Sequence, residues 1–149
     1  MAAVGGTTET TQMYLRTVLE LEMADIAPLR ARLRERLEHS APAISEAVAR
    51  LTQDGLLSMD PSDRVLTLTA PGRLIAEAVL RKHRLAEHLL TSLAGLDAAR
   101  AHEEACNWEH VISDDVELLL QARLGEPPPC PYTVGTPETV AGAEVSDEP

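Results

Sequence analysis

Pro42-Ala43-Ile44-Ser45-Glu46-Ala47-Val48-Ala49-Arg50-Leu51-Thr52-Gln53-Asp54-Gly55 is the stretch on which the fold reading turns. Ile44, Ala47, Val48 and Leu51 recur three and four residues apart, so on a helix they form one apolar stripe, while Ala43, Glu46, Arg50 and Gln53 form the opposite one. Pro42 suits a first helical turn, and Gly55 suits the left-handed residue that closes a helix. Upstream, a helix opening at Pro28 runs through Leu29-Arg30-Ala31-Arg32-Leu33-Arg34-Glu35-Arg36-Leu37, and only a short break at His39-Ser40-Ala41 separates the two. Two short helices joined by a tight turn predict a helix-turn-helix.

Working outward, residues 10 to 25 carry a broad apolar face of Met13, Leu15, Val18, Leu19 and Leu21 and read as a preceding helix. Downstream, Leu56-Leu57-Ser58-Met59 and Val65-Leu66-Thr67-Leu68-Thr69 flank Asp60-Pro61-Ser62-Asp63-Arg64, a turn composition that predicts a hairpin, and so a wing. Residues 1–75 are thus expected to form a winged helix-turn-helix. A long helix is expected from about Pro71 to Ala94, ending at Gly95, followed by one capped by Asp97 that holds His102 through His110. Ser113-Asp114-Asp115 opens the last helix, with acids where the helix dipole favours them. Residues 76–125 therefore read as a helical domain, in a mainly α chain. The Pro-rich acidic remainder, 126–149, has no period and is expected to be a disordered tail.

The chain of 149 residues has room for one such reading head and a helical extension. It shows no signal-peptide pattern and no run of about 18 apolar residues, so a cytoplasmic protein is expected. Its net charge of −11 is at odds with nucleic acid, since phosphate contacts need Lys and Arg. The distribution softens this: residues 1–75 carry eight arginines against ten acids, whereas residues 76–149 carry five basic side chains against fourteen acids. The two cysteines, Cys106 and Cys130, sit in dissimilar surroundings, which argues against a disulfide framework and for ligand or spare thiol; Cys130 reads as a stray thiol in preference to a redox-sensitive one.

His102-Glu103-Glu104-Ala105-Cys106-Asn107-Trp108-Glu109-His110 carries the chemistry. Helical geometry brings positions three and four apart together, so Cys106, Glu109 and His110 are expected on one face. A thiolate, a carboxylate and an imidazole converging there suit a borderline divalent transition ion. His83 and Glu87, four apart, form a second pair that with His102 makes another set of imidazole and carboxylate donors. Such pairs are also common as solvated neighbours, and Met13 and Trp108 taken alone read as core.

With these residues in view, the sequence resembles the diphtheria toxin repressor family of iron-dependent transcriptional regulators, from about Thr10 to Gly125. The resemblance rests on Met13-Tyr14-Leu15-Arg16-Thr17, Pro28-Leu29-Arg30-Ala31-Arg32, Arg81-Lys82-His83-Arg84-Leu85-Ala86-Glu87 and Glu104-Ala105-Cys106-Asn107-Trp108-Glu109-His110-Val111, four runs in the family's order. It implies a winged helix-turn-helix followed by a helical metal-binding and dimerisation domain. It implies a primary activating site at Met13, Cys106, Glu109 and His110, and an ancillary site at His83, Glu87 and His102. Fe(II) is the implied ion, with Co, Ni, Mn or Zn able to substitute. A manganese-selective branch would offer carboxylates where Met13 and Cys106 stand, so their sulfurs favour iron.

Two departures stand out. Longer members of the family continue past the Pro-rich linker into a small β-barrel domain that adds ancillary ligands, and this sequence ends before such a domain, so an incomplete and weaker ancillary site is expected. Glu46 stands where close members carry Gln; it is expected either to accept from a cytosine amino group or to pair with Arg50.

The function so implied is a metal-dependent repressor that binds double-stranded operator DNA as a homodimer and is not an enzyme. Arg30, Arg32, Arg50 and Arg64 are the expected phosphate contacts, with Ser40, Pro42, Ser45 and Glu46 nearest the bases. Leu74, Ile75, Val79 and Leu80 are the expected dimer face, or ordinary core. The alternatives are a metal-independent or antagonistic regulator that pairs with a full-length relative, and a small metalloenzyme using Cys106, Glu109 and His110.

Overall fold

The computed structural model describes residues 7–130. The elements run α1 (Glu9–Met23), α2 (Arg30–Leu37), α3 (Ala41–Gln53), β1 (Leu57–Met59), β2 (Leu66–Leu68), α4 (Ala70–Ser92), α5 (Ala98–Trp108) and α6 (Asp114–Leu124). The chain divides into two compact units, one up to Glu77 and the other from Ala78. The tail expected over 126–149 falls, from residue 131 on, outside the described residues. No helix of the described residues is long and apolar enough to cross a membrane.

In the first unit, α2 and α3 form the helix-turn-helix. Ile44, Ala47, Val48 and Leu51 are all buried, as the stripe predicts, and Leu33 of α2 is sealed as completely. At about 1.5–3 kcal/mol for each large aliphatic side chain, this burial outweighs the weak intrinsic stability of helices this short. The turn between them is made by Glu38 in the left-handed region, φ 56°, and Ser40 caps α3 by accepting from the Ala43 N–H at 3.3 Å. At its other end Gly55 adopts φ 75°, while the Leu56 N–H bonds to the Leu51 carbonyl and the Gly55 N–H to the Thr52 carbonyl. These two bonds define a Schellman cap.

The wing is an antiparallel hairpin registering Leu57 with Leu68, Ser58 with Thr67 and Met59 with Leu66. Its loop is held by side chains: Asp60 accepts from the Ser62 N–H at 2.8 Å and Asp63 from the Val65 N–H at 3.0 Å. Pro28 does not start α2, as its position had predicted. It lies ahead of the N-cap Leu29, and its carbonyl accepts from the Leu66 N–H at 2.8 Å, so this segment is spent on the free edge of the hairpin. Gly72 is obligatory for a second reason: a Cβ there would run into the Leu56 carbonyl.

In the second unit, α5 starts at Asp97, which accepts from the Arg100 N–H, and α6 at Ser113, which accepts from the Val116 N–H, both as the cap signals predict. Gly95, with φ 72°, follows α4. Lys82 is buried and pairs with Asp114 at 2.8 Å, and Arg81 pairs with Glu117 at 2.8 Å, tying α6 to α4. Ile75, Val79 and Leu80 are buried within the chain, so three of the four side chains expected at a dimer face serve as core; Leu74 alone is exposed.

Candidate metal centre and nucleic-acid face

The titratable cluster of the second unit is assembled from α4, α5, the turn after α5 and the segment after α6. His83 and Glu87, one turn apart on α4, are both buried, and His83 Nε2 stands 3.0 Å from Glu87 Oε1. His102 of α5 brings Nδ1 to 3.2 Å from His83 Nε2 and 3.5 Å from Glu87 Oε2. The expected ancillary trio is therefore brought together. A fourth residue joins it. Cys130 is buried, donates its thiol to Glu87 Oε2 at 3.1 Å, and lies 3.5 Å from His83 Nε2 and 3.4 Å from His102 Nδ1. The reading of Cys130 as a stray thiol is corrected: the Pro127-Pro128-Pro129 segment carries it onto α4 and α5.

The expected primary residues of this unit adjoin the same cluster. Glu109 is buried and its Oε2 accepts from His83 Nδ1 at 2.8 Å, while Oε1 stands 3.1 Å from His110 Nε2. Cys106 Sγ lies 3.7 Å from His102 Nε2. Sequence spacing put Cys106, Glu109 and His110 on one helical face, but α5 ends at Trp108. Glu109 is its C-cap, and His110 sits in the following turn, held by the Asn107 carbonyl at 3.4 Å. The side chain of His110 is thus aimed by a turn. Met13 is half-buried on α1 in the first unit.

Electrostatics explain how so many ionisable groups share a buried place. Burial by itself pushes the His83 imidazole down, but hydrogen bonds to Cys106, Cys130, Glu109 and Glu87 raise it far above the usual histidine range. For His102, hydrogen bonds to Cys106, Cys130 and Glu87 prevail over burial and lift it to about 11. Burial pushes Glu87 up, but hydrogen bonds to His102 and His83 and the charge on His83 bring it down to about 2. The common cause is that imidazole, carboxylate and thiol groups stand within hydrogen-bond distance of one another, largely away from water. Two imidazoles, a carboxylate and a thiol fit a borderline divalent ion such as Fe(II), Co(II) or Zn(II). A cleft of about 160 Å³ lined by Glu87, His88, Ala98, Pro128 and Pro129 adjoins the cluster.

On the first unit, Pro42, Ser45, Glu46 and Arg50 are exposed on α3, and Arg64 is exposed in the wing loop with φ 62°. Arg30 donates to Ser45 Oγ at 3.5 Å, and these two residues, with Ala31, Arg34 and Ile44, line a groove of about 540 Å³ between α2 and α3. Arg32 is paired with Glu35 at 2.8 Å. Among the described residues no ion pair joins Glu46 to Arg50, so the pairing expected for Glu46 is not formed and its carboxylate faces outward. Sequence reading also missed Tyr14. It is buried on α1, and its hydroxyl meets His39 Nδ1 at 2.9 Å, immediately before the cap of α3. Burial pushes its phenol up, the Arg50 guanidinium opposing. Nothing in the apolar period of α1 distinguishes it from an ordinary core residue.

A winged helix-turn-helix joined to a helical unit that buries histidine, carboxylate and thiol defines the class, a DNA-reading fold coupled to a metal-binding one. Residues 6–65 match the iron dependent repressor N-terminal DNA binding domain, and residues 69–138 match the iron dependent repressor metal binding and dimerisation domain. The chain belongs to the diphtheria toxin repressor family of iron-dependent repressors. It is 51% identical over 142 residues to the diphtheria toxin repressor of Corynebacterium glutamicum, covering 95% of this chain and 62% of that protein. It is 57% identical over 112 residues to the diphtheria toxin repressor of Corynebacterium diphtheriae, covering 75% of this chain and 49% of that one. Among solved structures, a manganese-dependent transcriptional repressor in complex with manganese superposes with a TM-score of 0.73 at 32% identity, over 82% of this chain and 56% of the other. The chain spans about half the length of the curated relatives it matches.

Proposed function

We propose that this protein is a metal-dependent transcriptional repressor of the cytoplasm that binds operator DNA as a homodimer, with Fe(II) as its ion. The observation that carries the reading is the buried His83–Glu87–His102 cluster with Cys106, Glu109 and His110 beside it, in a chain whose other unit is a winged helix-turn-helix. Cys106, Glu109 and His110 are the primary ligands with Met13, and His83, Glu87 and His102 the ancillary ones. At each site an ion would supply the positive charge that holds its ligands together. The protein's side chains do the rest: His83 donates Nδ1–H to Glu109, which fixes its ring and links the two ligand sets through one carboxylate.

Residues 1–75 form the reading head, 76–125 the metal-binding and dimerisation domain, and 126–149 a tail whose first residues include Cys130. Arg30, Arg32, Arg50 and Arg64 meet phosphates, while Ser40, Pro42, Ser45 and Glu46 lie nearest the bases. The Tyr14–His39 hydrogen bond ties the helix that carries Met13 to the start of α3, so an ion that engages Met13 biases the presentation of the reading helix. Leu93, Val111, Leu118 and Leu119 are exposed apolar side chains of the second unit that a second copy would cover. The reading is a regulator, in line with relatives that are repressors, in preference to an enzyme.

The test is selection from random duplex DNA with Co(II), repeated with chelator. A two-fold symmetric motif enriched only with metal is the expected result. Equal enrichment with chelator contradicts metal control, and no enrichment in either contradicts sequence-specific binding.

A further inference from the structure

Four donor atoms from three separate stretches, His83 Nε2, Glu87 carboxylate, His102 Nδ1 and Cys130 Sγ, lie within 4.8 Å of one another. The separations are 3.2 Å between the imidazole nitrogens, 3.5 and 3.4 Å from these to the sulfur, 3.1 Å from the sulfur to Glu87 Oε2, 3.5 Å from Oε2 to His102 Nδ1, and 3.0 Å from the other carboxylate oxygen, Oε1, to His83 Nε2. A tetrahedral ion bonded at about 2.0–2.3 Å to such atoms needs edges of about 3.3–3.8 Å. The contacts among His83 Nε2, His102 Nδ1, Cys130 Sγ and Glu87 Oε2, 3.1–3.5 Å, are close to those edges, so the four side chains converge as a tetrahedral site requires.

We infer that Cys130 is the fourth ligand of this site, a thiolate that closes the coordination of a borderline ion held by His83, Glu87 and His102 and so fastens the segment after α6 to α4 and α5. This rests on the metal-binding part of the reading above. Three features of the chain support it. Cys130 is buried although it follows three prolines in a stretch with no apolar period, so something specific holds it there. Pro127, Pro128 and Pro129 restrict the backbone in advance and lower the entropy lost when the thiol is delivered. His83 Nδ1 is engaged by Glu109, so Nε2 is the ring nitrogen turned toward Glu87, His102 and the Cys130 sulfur. Binding would require Cys130 as thiolate, its proton passing to solvent, and a ring-nitrogen lone pair from each histidine. The site so formed has four protein ligands, in place of the incomplete three-ligand site expected from the sequence. Its soft sulfur favours Fe(II), Co(II) or Zn(II) over Mg(II) or Ca(II).

The experiment uses the full chain titrated with Co(II), reading the thiolate-to-cobalt charge-transfer absorption in the near ultraviolet, with far-ultraviolet circular dichroism as the check on folding. The chain has two cysteines, so in Cys106→Ser any such band reports Cys130. The expected result is that Cys106→Ser keeps a charge-transfer band, that Cys106→Ser/Cys130→Ser loses it, and that Cys130→Ser alone weakens one Co(II) equivalent by at least about tenfold. Absence of the band in folded Cys106→Ser, with full band and parent affinity in Cys130→Ser, overturns the inference. Neither readout involves DNA. A chain that passes this test yet binds its operator equally well with chelator refutes the proposed function and leaves this site standing, and the converse holds too.

Discussion

The two compact units bury different kinds of side chain. In the first, the buried polar groups are Thr11, Gln12 and Thr17, none of which ionises, set among a core of Tyr14, Leu15, Leu33, Ile44 and Leu51. In the second they are Lys82, His83, Glu87, Glu109 and Glu117, and small side chains such as Ala101 and Ala105 fill the space between. Neutral polar groups are satisfied by local hydrogen bonds, whereas buried charges are expensive unless paired or held by an ion. The first unit is therefore organised to be stable and to present an outer face. The second is organised around buried ionisable groups that pair with one another.

That contrast can be tested by perturbing each unit in its own terms. The largest effect is expected from Leu51→Ala, which empties a fully buried position under α3 and should destabilise the first unit by about 2–5 kcal/mol in denaturant titration. A loss below about 1 kcal/mol would mean that α3 is not anchored by its apolar stripe. Metal should act on the other unit. At a hundredfold excess over Kd, a bound ion adds about 2.7 kcal/mol, read as slowed hydrogen exchange in α5 and the C-terminal half of α4. Unchanged exchange there on adding Co(II) would remove the distinction between the units. The smallest effect is expected from Ser40→Ala, which deletes the α3 cap and should lower stability by about 1 kcal/mol, with Ser40→Gly lowering it only by a few tenths.

The same contrast explains what the sequence made legible. The first unit follows hydrophobic period and cap chemistry: Ile44, Ala47, Val48, Leu51 and Gly55 stand where a stripe and a left-handed closure put them. Pro28 misled because the same residue suits a helix start and a strand edge, and only the Leu66 partner decides between them. In the second unit, spacing along one helix brought out His83 with Glu87. It did not bring out Cys130, whose partners lie 28 to 47 residues away and whose own segment has no period. Residues delivered by an irregular segment leave no local signature, and spacing puts Glu109 and His110 on a helix that in fact ends at Trp108.

The departure at Glu46 has its own consequence. With no partner in Arg50 it presents a bare carboxylate from the reading helix, so operator preference should differ from that of relatives with Gln there. Glu46→Gln, compared with the parent by the same selection on random duplex DNA, should shift the enriched motif at one position in each half-site; identical motifs would show that Glu46 touches no base.

The central claim is that ion binding in the second unit sets how the first binds a duplex, and one measurement meets it directly. Operator affinity of the parent and of Cys106→Ala/His110→Ala is followed by fluorescence anisotropy across a Co(II) titration. The parent should tighten by about 5–150-fold, the span of ordinary allosteric coupling, while the double variant stays at its metal-free affinity. Matching curves for the two proteins at every Co(II) concentration would contradict the account.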